Sequence, residues 1–248
     1  MIAALPMYDR PEVSAALDRF WAAIRAELPF GPDMLRRDMG MWDVWESPDL
    51  FFSQTCGLPY RNWLIGRVQK IGTPDYGLPD APPGYYYSHW VVAQGSSQDL
   101  RSYANRTLAI NGRDSQSGWT SAFNHAAELG FEFHNIVVSG AHRESARMIA
   151  DGKADIAAID AVTWRMMEQF DPFVSALEVI GHTIPTPGLP FITSLSGPVH
   201  ALREATEKAI EDLSDQDRDI LGMIGIADIS DDDYRAVHTP HKLVAKSR

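Results

Sequence analysis

A short polar segment between two apolar ones carries the groups best suited to hold an anion. In residues 108–124, the first apolar run ends at Asn111, and Ser115, Gln116 and Ser117 come before the next apolar pattern. The order strand, polar loop, helix directs backbone N–H groups and hydroxyls toward one point. A helix N-terminus carries about half a positive charge and up to four unpaired donors, so it can bind an anion without a lysine.

The residues of this segment exclude three well-known functional motifs. The phosphate-loop pattern Gly-x-x-x-x-Gly-Lys and the dinucleotide pattern Gly-x-Gly-x-x-Gly are both absent from it. Asp114 occupies the position that a nucleophilic serine has in Gly-x-Ser-x-Gly, so that esterase-like motif is excluded as well. One structural alternative stays open, in which Asp114 or Ser115 only caps the following helix.

Two further polar residues follow predicted strands, where an open α/β sheet presents its ligand-facing edge. His142 lies in the first turn of a helix predicted at 141–151, after the strand predicted at 131–138, and Asp160 follows the strand predicted at 155–159. Together with Ser115 these residues would place three polar groups at one sheet edge. The open alternative for His142 is an ordinary surface position. If His142 instead donates a proton to an anion, binding should weaken as the pH rises past its pKa.

The first part of the chain offers a second set of candidate ligand contacts. Tyr8 follows a strand predicted at 2–7, and Gln54, Thr55 and Cys56 lie at the end of another predicted strand. A packing role is the alternative for Tyr8. Cys56 could act as a nucleophile only beside a histidine, and a small cysteine next to a glycine is more often inert packing. We assign no catalytic residue.

The elements that would position these residues fall into two groups. Apolar residues at helical spacing predict a helix over 13–28 after the first strand, and a short strand is predicted at 34–39. A β-rich segment at 85–93 leads into a small polar segment, 94–97, which we interpret as a crossing between two lobes. Beyond it, strands and helices alternate as βαβαβα, which is typical of a parallel sheet with helices on its faces.

Composition narrows the classes of partner. The net charge of −11, with no basic run, argues against a nucleic-acid partner. A single cysteine excludes an internal disulfide. No apolar run approaches the ~18 residues that a membrane span needs, so no membrane insertion is expected.

The two ends of the chain add expectations about location and metal binding. The first residues lack a signal-peptide pattern, so we expect a cytoplasmic protein as written and a periplasmic one if a leader was removed. His238 and His241 give a weak metal-binding pattern that we interpret as a tail. We therefore predict neither a metal nor a cofactor.

Four segments carry a resemblance to a known family. Residues 110–119, 139–146 and 152–160 resemble, in order and spacing, the second lobe of the phosphate/phosphite/phosphonate substrate-binding proteins of ABC transporters. Residues 185–190 resemble the return of the chain into the first lobe of that family. The resemblance is most evident over residues 100–195.

The resemblance implies a type II periplasmic-binding-protein fold of the α/β class. Each of two lobes would have a mixed, mostly parallel sheet flanked by helices, and two hinge crossings would allow the lobes to close on a ligand like a Venus flytrap. The first lobe would comprise residues 1–93 and 184–248, and the second would comprise 94–183. Hinges are then expected at 93–96 and near 181–184.

The resemblance also implies roles for the residues of the second lobe. Ser115, Gln116 and Ser117 match the Ser-Thr-Ser-like loop that grips a tetrahedral anion, and Gln116 departs from the usual threonine. His142 matches a ligand-facing histidine. Asp160 lies where a polar or acidic residue meets the rest of the ligand.

The first lobe would contribute Tyr8 and the Gln54–Cys56 turn to the same ligand. The implied function is binding of a small phosphate- or phosphonate-like anion for delivery to the permease of an ABC transporter. A different class of function stays open at this point, which is a cytosolic enzyme or sensor built on the same two-lobed scaffold.

Overall fold

Within the described residues the chain passes three times between two units, and each unit has its own five-stranded sheet. In the computed structural model, which describes residues 1–240, the first unit comprises Met1–Tyr85 and Pro187–Ala236. The second unit comprises Tyr86–Thr186 and continues at 237–240. His241, one of the two histidines of the weak metal pattern, lies outside the described residues.

Strands alternate with helices along much of the chain. They are β1 (Ile2–Ala4), β2 (Leu50–Gln54), β3 (Val68–Asp75), β4 (Tyr85–Tyr86), β5 (Ser88–Ala93), β6 (Thr107–Ile110), β7 (Asn135–Val138), β8 (Ile156–Asp160), β9 (Leu177–His182), β10 (Thr186–Pro187), β11 (Phe191–Ser194) and β12 (Gly225–Ala227).

The α-helices lie between these strands and at the end of the first unit. They are α1 (Ser14–Ala26), α2 (Met41–Trp45), α3 (Gly57–Pro59), α4 (Ser121–Glu128), α5 (His142–Ala150), α6 (Ala161–Phe170), α7 (Val199–Glu211), α8 (Asp215–Leu221) and α9 (Asp231–Ala236). Wider π-helical turns cover Tyr60–Leu64 and Gln116–Thr120, and 3₁₀ turns cover Leu100–Tyr103 and Pro172–Ala176. No helix within residues 1–240 is both long enough and apolar enough to cross a membrane.

The sheet of the first unit has the strand order β1-β2-β11-β3-β12. Helix α1 buries Leu17, Phe20, Trp21 and Ile24, which are residues at the helical spacing that predicted it. Trp21 lies 5.5 Å from Phe52 between ring centroids, so this face of α1 packs on β2. The aromatic contact holds β2 in place, and β2 carries Gln54 at its end.

The sheet of the second unit has the strand order β7-β6-β8-β5-β9. Strand β6 pairs in parallel with β7 and with β8, and Ile110 lies opposite Val138 in the first of these pairs. Both sides of the central strands are covered, because β6 and β8 are buried apart from Thr107 and because α5 and α6 bury Ala146, Ile149 and Met167. Parallel pairing therefore brings the loops after β6 and β7 to one edge.

The predicted α/β class with mixed sheets is confirmed, but parallel strand pairs are not the majority in either sheet. Among the described strands, the first sheet has one parallel pair and three antiparallel pairs, and the second has two of each. The reason is that β11 and β5 each insert antiparallel between two strands. These are the strands by which the chain enters each sheet after passing between the units.

The boundaries between the units differ from the expected ones by several residues. Strand β5, predicted to close the first lobe, pairs with β8 and β9 and belongs to the second unit. The chain therefore passes between units next to Tyr85 and Pro187, and the hinges expected at 93–96 and 181–184 lie within the second unit. A β-rich segment does not by itself indicate which of two sheets it will join.

The prediction of a strand at 34–39 is wrong, because this segment has no regular secondary structure. Arg36 pairs with Asp38 at 2.6 Å, and Arg37 pairs with Asp9 and Asp18 at 2.6 and 2.8 Å. These charged side chains are bound near the surface instead of alternating with a buried apolar face. A single backbone hydrogen bond, from Arg36 N to Ala3 O at 2.7 Å, attaches the segment to β1.

Candidate functional site

The loop after β6 forms a buried cap at the start of a helical segment. Ser115 has β-region backbone angles, and its Oγ accepts a hydrogen bond from Gly118 N at 3.0 Å. Ser115, Gln116 and Ser117 are each less than a tenth exposed. The N–H groups of Gln116 and Ser117 lie in the first turn, where no earlier helical carbonyl can accept them. The capping role left open for Ser115 is therefore present, on a turn whose dipole favours an anion.

Ser117 and His142 are brought together by the parallel pairing of β6 with β7. The Oγ of Ser117 lies 2.6 Å from Nε2 of His142, the first residue of α5. A second hydroxyl is close, because Ser115 Oγ and Ser117 Oγ are 3.3 Å apart. Two serine hydroxyls and one imidazole thus converge in the second unit at the same edge of its sheet.

Burial sets the electrical state of the imidazole. Desolvation lowers the pKa of His142 from 6.5 to about 4. The ring is consequently neutral at neutral pH and contributes a hydrogen bond rather than a positive charge. Its Nδ1 is buried and has no hydrogen-bond partner among the described residues. A loss of affinity caused by deprotonation of His142 would therefore be expected near pH 4 and not near pH 7.

Gly118 permits the close approach of three segments at this point. A Cβ built on Gly118 would overlap Asn111 Oδ1 and would lie 3.1 Å from Cε1 of His142. Asn111 Oδ1 is buried and has no hydrogen-bond partner among the described residues. Any larger residue at 118 would therefore displace the side chain of Asn111 and crowd the imidazole of His142. The role of Asn111 could not be inferred from the sequence, since a single asparagine after a strand usually forms a turn.

Gln116, the residue that departs from the family's threonine, directs its amide nitrogen to hydroxyls of its own unit. Nε2 lies 3.2 Å from Ser121 Oγ and 3.4 Å from Thr186 Oγ1. In return, Ser121 Oγ donates to the carbonyl of Gln116 at 2.9 Å. These bonds fix the path of the turn, so Gln116 contributes to the shape of the loop.

Asp160 has a defined structural role in the same unit. Its Oδ1 accepts a hydrogen bond from Thr163 N at 2.8 Å and caps α6. In the sheet it lies opposite Ser88, whose Oγ donates to Ser117 O at 3.0 Å. Ser88 positions the anion loop from the neighbouring strand and was not among the predicted residues. The available signal was a small polar residue inside the β-rich segment that contains it.

Two candidate residues of the first unit, Tyr8 and Gln54, both contact Tyr76. Gln54 Nε2 donates to Tyr76 OH at 3.1 Å and to Leu189 O at 3.0 Å. Tyr8 packs edge-on against Tyr76, with ring centroids 5.5 Å apart. The structure thus brings Tyr8 and Gln54 together through Tyr76, a residue that sequence reasoning did not select.

Thr55 and Cys56 continue from this group into the turn after β2. Thr55 is fully buried, and its N–H donates to Pro190 O at 3.1 Å. Cys56 is partly exposed and precedes α3. Within residues 1–240, no group of three or more His, Cys, Asp or Glu side chains is placed to hold a metal ion.

Residues 69–234, two thirds of the chain, match the family described as ABC transporter, phosphonate, periplasmic substrate-binding protein. The chain belongs to this family. It is therefore a solute-binding protein by descent. No curated protein matches the chain.

Solved structures share the fold of this binding protein at low sequence identity. PhnD1 from Prochlorococcus marinus in complex with methylphosphonate has a TM-score of 0.70 and 16% identity, and 94% of each chain is covered. A binding protein component of the ABC phosphonate transporter of Pseudomonas aeruginosa has a TM-score of 0.67 and 12% identity, covering 94% of this chain and 83% of its own. XAC2383 from Xanthomonas citri bound to ATP has a TM-score of 0.66 and 15% identity, covering 95% and 94%. These likenesses show the two-lobed periplasmic-binding-protein fold.

Proposed function

We propose that this binding protein takes a tetrahedral oxyanion of the phosphonate class on the Ser115–Ser117 loop and His142. It acts in the periplasm and delivers the ligand to the permease of an ABC transporter, as its family does. The observation that carries the proposal is the 2.6 Å contact between Ser117 Oγ and His142 Nε2 at a capped first turn. This contact gathers hydroxyl, imidazole and backbone donors where a helix end favours negative charge.

The chemistry of the loop suits a tetrahedral anion. Its oxygens can accept from hydroxyls and from first-turn amides without any cation in the loop itself. A hydrogen bond to a charged group contributes about 1.5–3 kcal/mol. Loss of one such donor should therefore weaken binding by about tenfold or more, since 1.4 kcal/mol corresponds to a factor of about ten.

The test is calorimetric titration with methylphosphonate and with inorganic phosphate. Ser117→Ala removes the hydroxyl next to His142, and we expect at least about tenfold weaker binding of whichever probe the wild type prefers. Ser102→Ala is the matched control, because Ser102 is exposed in the same unit and its Oγ donates only to Asp99 O. Affinity of Ser117→Ala within twofold of the wild type would exclude this loop as the anion site.

We also propose Asp160, Tyr8, Gln54, Thr55 and Cys56 as ligand contacts of their respective units. Their hydrogen bonds and ring contacts hold them in fixed positions, which is a requirement for a preorganised contact. Tyr8→Phe keeps the edge-on packing against Tyr76 and removes only the hydroxyl. We expect weaker ligand binding, measured by calorimetric titration, and unchanged binding would remove Tyr8 from the site.

A further inference from the structure

Two buried donors near the anion loop have no acceptor in the described part of the chain. Trp119 is only 1% exposed, and its Nε1 has no hydrogen-bond partner. Arg113 Nη1 is buried and unpartnered in the same way. The two groups are neighbours, because the guanidinium carbon of Arg113 lies 5.4 Å above the indole ring of Trp119.

Such an arrangement is costly unless something accepts from these donors. A buried donor without a partner costs about 1–3 kcal/mol, and a charged one costs more. Stacking on an aromatic ring does not account for the missing acceptor. Arg143 in the same unit lies 5.8 Å from the ring of Phe173 and still pairs with Asp171 at 2.8 Å.

The chemistry of the two donors indicates the class of acceptor. A guanidinium matches the two oxygens of a carboxylate or of a similar oxyanion, with parallel hydrogen bonds. An indole N–H only donates, so it fits the same acceptor. The chain has 33 acidic residues, yet no described carboxylate pairs with Arg113 Nη1.

The position of the pair connects it to the anion loop. Arg113 precedes Ser115 by two residues, and Trp119 follows Ser117 by two residues. We propose that Arg113 and Trp119 form a second subsite, which takes a carboxylate carried by the same ligand whose phosphonate the Ser115–Ser117 loop holds. The inference rests on the proposed function and narrows the ligand to a phosphonate that bears a second oxyanion.

The test compares phosphonoacetate, which carries a carboxylate, with methylphosphonate, which does not. By calorimetry we expect the wild type to bind phosphonoacetate at least tenfold more tightly. Arg113→Gln should remove this preference while changing methylphosphonate affinity by less than about threefold. Arg106→Gln, an exposed arginine of the same unit, is the matched control and should leave both affinities unchanged.

A second variant separates the subsite from packing. Trp119→Phe keeps an aromatic ring under the guanidinium and removes Nε1, and we expect part of the preference for phosphonoacetate to be lost. Equal affinity of the wild type for both probes, or an equal loss of both in Arg113→Gln, would overturn the second subsite and leave the proposed function standing. Failure of both probes to bind the wild type would overturn the proposed function and this inference with it.

Discussion

A neutral, partly buried histidine next to a serine is the central residue-scale feature of this molecule. The pKa of His142 is lowered by burial to about 4, whereas the unfolded chain titrates its histidines near 6.5. Between these two values the unfolded state binds a proton that the folded state does not. The contribution of His142 to the unfolding free energy is therefore fully present above pH 6.5 and is lost as the pH falls toward 4. His89, whose pKa is also lowered to about 4 by burial and by His182, adds to the same dependence.

We predict that acidification from pH 6.5 to 4 removes about 2–3 kcal/mol of unfolding free energy through His142 alone. His142→Gln cannot titrate, so its unfolding free energy should fall less steeply over this range. The measurement is urea denaturation at several pH values, with exposed His134→Gln as the control variant. Identical slopes for the wild type and His142→Gln would contradict the neutral, partly buried state.

At the residue scale the sequence predicted that Ser115, His142 and Asp160 lie at one sheet edge, but it did not predict the contact between Ser117 and His142 or the residues that support it. Two polar residues after two parallel strands must meet at one edge, and that rule needs no coordinates. Asn111, Ser88 and Tyr76 were not predicted, because their roles depend on which neighbouring segment each one touches. Single polar residues in a turn or strand carry no signal of such contacts.

At the scale of elements, the start of α6 depends on a single carboxylate. Asp160 Oδ1 accepts from Thr163 N at 2.8 Å, so Asp160→Ala removes the cap and should lower the unfolding free energy by about 1 kcal/mol. Asp160→Asn keeps an oxygen acceptor in place and should cost only a few tenths of that. Chemical denaturation of both variants checks this expectation. Equal destabilisation by the two substitutions would show that charge, and not capping, is what the helix requires.

Elements with a clear period were predictable, and those that lack one were not. Helix α1 follows from apolar residues at helical spacing, and β8 follows from an apolar run that ends at Asp160. The sequence predicts a strand at 34–39, but Arg36 and Arg37 form ion pairs with nearby carboxylates instead. Strand β5 was recognised as a strand and assigned to the wrong lobe, because membership of a sheet depends on long-range pairing.

At the scale of the whole molecule, an anion must approach a protein whose net charge is −11. The field of that charge opposes the approach of the ligand, and salt shortens its range from about 30 Å at 0.01 M to about 8 Å at 0.15 M. We therefore predict that the association rate of methylphosphonate rises with ionic strength. Stopped-flow measurements with a salt of a bulky, weakly competing anion test this. A falling rate would mean that local positive charge at the loop dominates the approach.

The single cysteine gives the molecule an intrinsic reporter position. Cys56 is partly exposed in the turn after β2, next to fully buried Thr55, and the chain contains no second thiol. A maleimide dye would consequently attach at one known place without prior mutagenesis. Because Cys56 is also a proposed ligand contact, slower attachment of the dye in the presence of a solute could serve as an optical readout for screening candidate solutes.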